Sequence, residues 1–172
     1  MGAVHPPELP EGPKAAHSVS VRHNFETAHR IPHLVGKCVN LHGHSWWMEA
    51  TVSAPLLDRG TVVEFGAFKG HVRAWIDTHL DHGAMLGADD PLAGILAEHR
   101  SKVFRFGASD PGPAERFAAG LPHPTVEAVA ELLARVVGQA LRELSAAAGA
   151  FVSEVVVSET HVNTAGWRHA RT

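Results

Sequence analysis

Tyrosine is absent from the chain, cysteine occurs once, as Cys38, and lysine occurs only as Lys14, Lys37, Lys69 and Lys102. A single cysteine excludes an intrachain disulfide and leaves two readings of Cys38, a small buried apolar residue or a reactive thiol. No apolar run approaches the roughly 20 residues that a membrane span needs. The N-terminus, Met1-Gly2-Ala3-Val4-His5-Pro6-Pro7, has no basic segment followed by an apolar one, so no secretory signal is read there. Pro6 stands where a myristoylation motif wants Ser or Thr. The cytoplasm is therefore the expected location. Clustered positive charge is missing too, and a net charge of −3 argues against nucleic acid as the main partner.

What is present fits a soluble, globular chain. Of 172 residues, 45% are hydrophobic and 19% charged, a length and balance that suit one compact core rather than disorder. Residues 1–17 carry Pro6, Pro7, Pro10 and Pro13 with few apolar anchors and read as a flexible tail, with a single domain over 18–170. Val19, Val21, His23 and Phe25 alternate with polar residues and predict a half-buried strand over 18–28. Pro32 and Gly36 predict a loop, and Trp46, Met48, Ala50 and Val52 then mark one face of a second strand that Pro55 ends. A turn at Asp58-Arg59-Gly60 and a short Val62–Phe65 segment follow. Phe68, Val72, Trp75, Ile76 and Leu80 recur at helical steps.

The forty or so residues from His82 to Pro124 are long for a connection inside a compact domain. A helix at Pro91–His99 and a strand at Val103–Phe106 are expected within them. Pro124-Thr125-Val126-Glu127 signals a helix start, with Glu127 read as a capping-box acid, and Val129, Leu132, Leu133, Val136, Val137 and Leu141 make its apolar stripe. That helix is expected to end near Ala148-Gly149. Val152–Val157 and Gly166–Arg168 read as the last strands. The order expected is ββααββ, an α+β domain with a four-stranded antiparallel sheet and two helices on one face.

Histidine occurs 14 times, so one His-x-His pair carries little weight by itself. Strand phase adds to it. His42 and His44, at i and i+2, project from the same face with only Gly43 between them, and His29 reaches the same point if the two strands pair. Three neutral imidazoles suit Zn²⁺ with one position left open for chemistry. Spacing alone leaves metal binding and ordinary, satisfied histidines equally open.

The neighbouring residues carry a resemblance. Phe25-Glu26-Thr27-Ala28-His29, Cys38-Val39-Asn40-Leu41-His42-Gly43-His44, Gly60-Thr61-Val62-Val63-Glu64-Phe65, Leu80-Asp81-His82, Pro124-Thr125-Val126-Glu127 and Ser158-Glu159-Thr160 follow one another in an order that resembles the 6-pyruvoyltetrahydropterin synthase family, over about residues 19–168. The resemblance implies the tunnelling fold, a homo-oligomer of trimers stacked into a hexamer, and 7,8-dihydroneopterin triphosphate as substrate. It implies zinc on His29, His42 and His44, Cys38 as base, Asp81 and His82 as a second acid/base pair, and Glu159 as pterin anchor, assisted by Thr125 and Thr160. A thiol acts as a base only as thiolate, a carboxylate can orient a neighbouring imidazole, and one carboxylate can accept from the two adjacent N–H donors of a pterin.

Two branches share these motifs. One eliminates triphosphate and makes 6-pyruvoyltetrahydropterin. The other also releases acetaldehyde and makes 6-carboxytetrahydropterin, toward 7-deazaguanine compounds such as queuosine. The abundance of Ala, Gly, Pro and Arg resembles a GC-rich bacterial genome and favours the carboxy branch. Val39, Asn40 and Leu41 offer no carboxylate near the base position, which disfavours the folate-linked branch. A non-catalytic homologue that holds only pterin or zinc, and a cyclohydrolase-like zinc enzyme, are the rivals. The retained Cys38, Asp81, His82 and Glu159 count against the first, and the lack of a second cysteine against the other. Thr27, Glu64 and Ala128 depart from the family pattern, and the segment at about 87–123 reads as a long insertion.

Overall fold

The computed structural model describes residues 16–170. The expected tail lies outside the described residues except for its last two, and His17 already belongs to a strand. The first strand, β1 (His17–His29), pairs antiparallel with β2 (His42–Ala54) along its whole length, from His17 opposite Ala54 to His29 opposite His42. This register puts odd-numbered β1 residues and even-numbered β2 residues on one face. On it Val21, Phe25, Trp46, Met48, Ala50 and Val52 are buried. The opposite face is polar. There Ser20 and Thr51 share a 2.8 Å hydrogen bond and Arg22 pairs with Glu49 at 3.3 Å.

Two helices cover the apolar face. Glu64 caps α1 (Phe65–His79), its carboxylate accepting from the N–H groups of Gly66 and Ala67 at 2.8 and 2.6 Å. Those bonds, that from Ala67 first, hold Glu64 below the usual carboxylate range. Phe68, Val72 and Ile76 face the core. Thr125 caps α3 (Val126–Glu143) through a 3.2 Å bond from the Ala128 N–H, a contact type worth about 1 kcal/mol. Val129, Leu132, Leu133, Val136 and Val137 form the buried stripe.

Among the described residues the sheet has six strands in the order β4-β3-β1-β2-β5-β6, where β3 is Gly83–Gly87, β4 Val103–Phe106, β5 Phe151–Ser158 and β6 Thr164–Arg168. It is mixed: β3 runs parallel to β1 and β4 parallel to β3. The expected α+β domain with two helices on one face is present; the sheet, expected as four antiparallel strands, is corrected to six strands with mixed pairing, and a third helix is added. The additional elements come from 83–106, where Asp90 caps a third helix, α2 (Pro91–Glu98). Met85 joins the main core, whereas Ala84 and Leu86 pack with Ala93 of α2. Strand alternation therefore puts α2 on the sheet face opposite α1 and α3. The segment at about 87–123, expected as a long insertion, thus carries α2 and β4, the expected helix and strand.

Two smaller corrections concern α3. With Thr125 as N-cap, the capping-box position falls on Ala128, so exposed Glu127 cannot box. The helix stops at Glu143, because Ala146 bridges Val63 and the Ala147 N–H donates to Val62 at 2.8 Å. No described helix is long and apolar enough to cross a membrane.

Candidate metal centre and active site

The histidine cluster grows directly from the β1–β2 register. His29 ends β1, His42 opens β2 opposite it, and His44 stands opposite Thr27. All three lie on the core face, one step beyond Trp46, whose buried ring forms the floor at 4.9 Å from the His29 ring and 5.9 Å from His44. The Trp46 indole N–H donates to the Thr27 carbonyl at 3.0 Å, which fixes that floor. Pairing of β2 with β5 then brings in Glu159, the residue after Ser158, which stands opposite Trp47.

One ligand atom from each of His29, His42, His44 and Glu159 lies within 4.8 Å of every other. The ring centroids are 4.7 to 5.3 Å apart. Two backbone carbonyls set the orientation: His29 Nδ1 lies 3.0 Å from the Pro124 oxygen and His42 Nδ1 2.8 Å from that of Asn40. Donation from Nδ1 leaves the Nε2 lone pair of each ring for a metal. His29 Nε2 and His44 Nε2 are buried without a hydrogen-bond partner. His44 Nε2 is 2.9 Å from Glu159 Oε1, but the contact is too poorly directed to be a hydrogen bond. Buried polar atoms are seldom left so.

Burial is the largest influence on His29 and His44 and holds both below the usual imidazole value. For His29 it outweighs the bond to Pro124, and for His44 the charge of Glu159. Neutral imidazole is the form that ligates. Three nitrogens and a carboxylate oxygen are a donor set that fits zinc.

Glu159 was expected as a pterin anchor, and the structure adds that its carboxylate borders the metal position. Behind it opens a cleft of about 670 Å³ lined by Arg22, Gly43, His44, Glu159 and His161 among others. A groove of about 680 Å³ between α3, β5 and β6 lies away from the histidines, with Arg135 and Arg142 as its charged groups.

The remaining expected residues are arranged around this cluster without joining it. Cys38 is half-buried in a 3-10 turn (Lys37–Val39), two residues before the Asn40 carbonyl that orients His42. Asp81 and His82 form a pair on the other side of β1, with Asp81 Oδ2 2.7 Å from His82 Nδ1. Asp81 Oδ1 accepts from the Glu26 N–H at 2.7 Å, and the His82 N–H donates to the Glu26 carbonyl at 2.6 Å. His82 takes a left-handed φ of 55°, so this corner is held in a conformation that few residues adopt freely. Burial pushes the Asp81 carboxyl up, but the bonds from Glu26 and His82 outweigh it and keep Asp81 below the usual carboxylate range. The Thr125 hydroxyl serves the α3 cap, and Thr160 Oγ1 accepts from Val162 and Asn163 in the β5–β6 turn. Glu26, Asn40 and Pro124, which position the site through backbone groups, left no side-chain signal in the sequence.

A sequence model of 6-pyruvoyl tetrahydropterin synthase matches residues 18–170. The chain belongs to this family. Among its relatives are proteins named 6-carboxy-5,6,7,8-tetrahydropterin synthase, from Rickettsia typhi (39% identical over 79 residues, 45% of this chain and 57% of the relative) and Aquifex aeolicus (31% over 135 residues, 78% and 77%). The match thus spans little more than half the length of the Rickettsia relative. An uncharacterized protein from Wolinella succinogenes shares the fold at TM-score 0.67 and 21% identity, covering 90% of this chain and 98% of its own. The 6-pyruvoyl tetrahydropterin synthase of Caenorhabditis elegans does so at TM-score 0.60 and 18% identity, covering 90% and 96%. The architecture is that of the tunnelling fold, here with six strands.

Proposed function

We propose that this chain is a zinc-dependent lyase that converts 7,8-dihydroneopterin triphosphate and one water to 6-carboxy-5,6,7,8-tetrahydropterin, releasing acetaldehyde and triphosphate. The observation that carries this reading is the convergence of His29, His42, His44 and Glu159, two of whose ring nitrogens are buried and unpartnered. Zinc on the three imidazoles supplies Lewis acidity toward the substrate's side-chain hydroxyls. The chain's own groups do the rest. Cys38, as thiolate, removes a proton from the substrate side chain. Asp81 stays ionised and orients the His82 ring, which relays a second proton. The Glu159 carboxylate accepts from the amine and ring N–H of the pterin and so places its side chain toward Cys38. Thr125 and Thr160 border the ring, their hydroxyls already committed to the cap and the turn.

Glu159→Gln separates the two roles open to that carboxylate. Loss of a charge-assisted pair should raise KM about tenfold or more while zinc stays bound. Loss of zinc from Glu159→Gln would make Glu159 a ligand and remove it as the anchor. Identification of the pterin product by mass, after incubation with 7,8-dihydroneopterin triphosphate, tests the proposal as a whole. A 6-pyruvoyl product assigns the chain to the other branch, and no product leaves a homologue that only binds.

Assembly into a trimer stacked as a hexamer is part of the same proposal. Among the described residues β4 and β6 are the sheet's outer strands, and unpaired edges seek partners. Leu34, Val35, Val39 and Leu41 expose apolar surface around Cys38. Light scattering at micromolar concentration should give a mass near six chains. A monomer with full activity would contradict it.

A further inference from the structure

The loop that carries Cys38 has little to hold it. Residues 32–37 are all exposed, and the backbone between β1 and β2 is irregular apart from one 3-10 turn. Buried Ile31 anchors its neck, where the Ile31 N–H donates to the Cys38 carbonyl at 2.8 Å. A general base, by contrast, works only when held within hydrogen-bond reach of its proton, and a misplacement of about 1 Å is costly. Something besides the neck must steady the loop.

Two side-chain contacts reach it from the 87–123 segment. The guanidinium of Arg30 forms an ion pair with Asp90, the α2 cap, at 3.5 Å, the outer limit of a hydrogen bond. Farther along, the His33 and His123 rings lie against each other in a tilted contact, with centroids 4.2 Å apart and planes 34° from parallel. His123 is itself well placed. A Cβ on Gly87 would approach its Nδ1 to 3.1 Å, so the ring sits close against bare backbone there, and its carbonyl accepts from the Thr125 N–H. Burial first, and the neighbouring His33 second, hold His123 below the usual imidazole value, so the neutral ring makes the contact. The next residue, Pro124, gives the carbonyl that orients His29.

We infer that His33 and His123 are positioning residues, and that their ring contact holds the Cys38 loop in register with the metal ligands. The dipeptide His123-Pro124 touches the loop with one residue and a ligand with the other. It therefore ties the thiol and the histidine cluster to one rigid point at the entry to α3. This gives the 87–123 segment a part in the site, and the catalytic half of the inference rests on the reading of Cys38 as base.

The test compares wild type with His33→Ala, His123→Ala and His123→Phe, the last keeping a flat ring without nitrogen. The first readout is the rate at which iodoacetamide alkylates Cys38 in the zinc-loaded protein without substrate. That rate should rise about threefold or more in both alanine variants as the loop loosens, and return toward wild type in His123→Phe. Turnover should follow: kcat down about tenfold in the alanine variants, KM and zinc content unchanged, and His123→Phe restored. Equal alkylation rates in all four proteins overturn the inference, as does a His123→Phe protein no better than His123→Ala. His33 is exposed, so His33→Ala keeps the test open if changes at position 123 impair folding. A wild type without product would refute the proposed function and leave the alkylation comparison intact.

Discussion

Replacing Cys38 by alanine should lower turnover about a hundredfold or more, with zinc content and pterin affinity preserved. A positioned general base is ordinarily worth roughly that factor. Cys38 does not belong to the cluster of ligand atoms, so its loss leaves His29, His42, His44 and Glu159 in place. The side chain is half-buried on an exposed loop, and trimming it to alanine opens no cavity in either core. Stability should therefore move little, and the effect should fall on kcat. A Cys38→Ala protein that turns over normally would make the thiol structural.

His42→Ala should release the metal almost wholly. His42 supplies one of three imidazoles, and its ring is set by the Asn40 carbonyl, so nothing nearby replaces its nitrogen. The remaining His29 and His44 would bind zinc orders of magnitude more weakly, because each ligand adds to a preorganised set. Elemental analysis of dialysed protein should show about one zinc per chain in wild type and little in the variant. Activity should disappear with the metal. Full zinc retention by His42→Ala would remove the metal centre as assigned.

The strand phase of His42 and His44 was legible because a period of two needs only local sequence. The same holds for β1 and β2 and for the apolar stripes of α1 and α3. β3 was not legible. Gly83-Ala84-Met85-Leu86-Gly87 is short and has no alternation, since its two faces are covered by different layers, Met85 by the main core and Ala84 and Leu86 by α2. Its parallel pairing with Thr27–His29 follows from a crossover through α1 that no local pattern announces.

The approach of Glu159 to His44 was hidden for a related reason, because it depends on the register of β2 against β5 across more than a hundred residues. The capping box failed by one position: with Thr125 as the cap, the box site is Ala128 and not Glu127. The groups that orient His29 and His42 are main-chain carbonyls, and every residue has one.

The central claim is that this histidine cluster, with its thiol and its imidazole–carboxylate pair, cleaves carbon from the substrate side chain as well as expelling triphosphate. Elimination alone and elimination with cleavage differ by one two-carbon fragment. Acetaldehyde trapped during turnover of 7,8-dihydroneopterin triphosphate, measured against triphosphate released, distinguishes them directly. About one acetaldehyde per triphosphate is expected from the zinc-loaded protein, and neither from His42→Ala. Triphosphate released without acetaldehyde would contradict it.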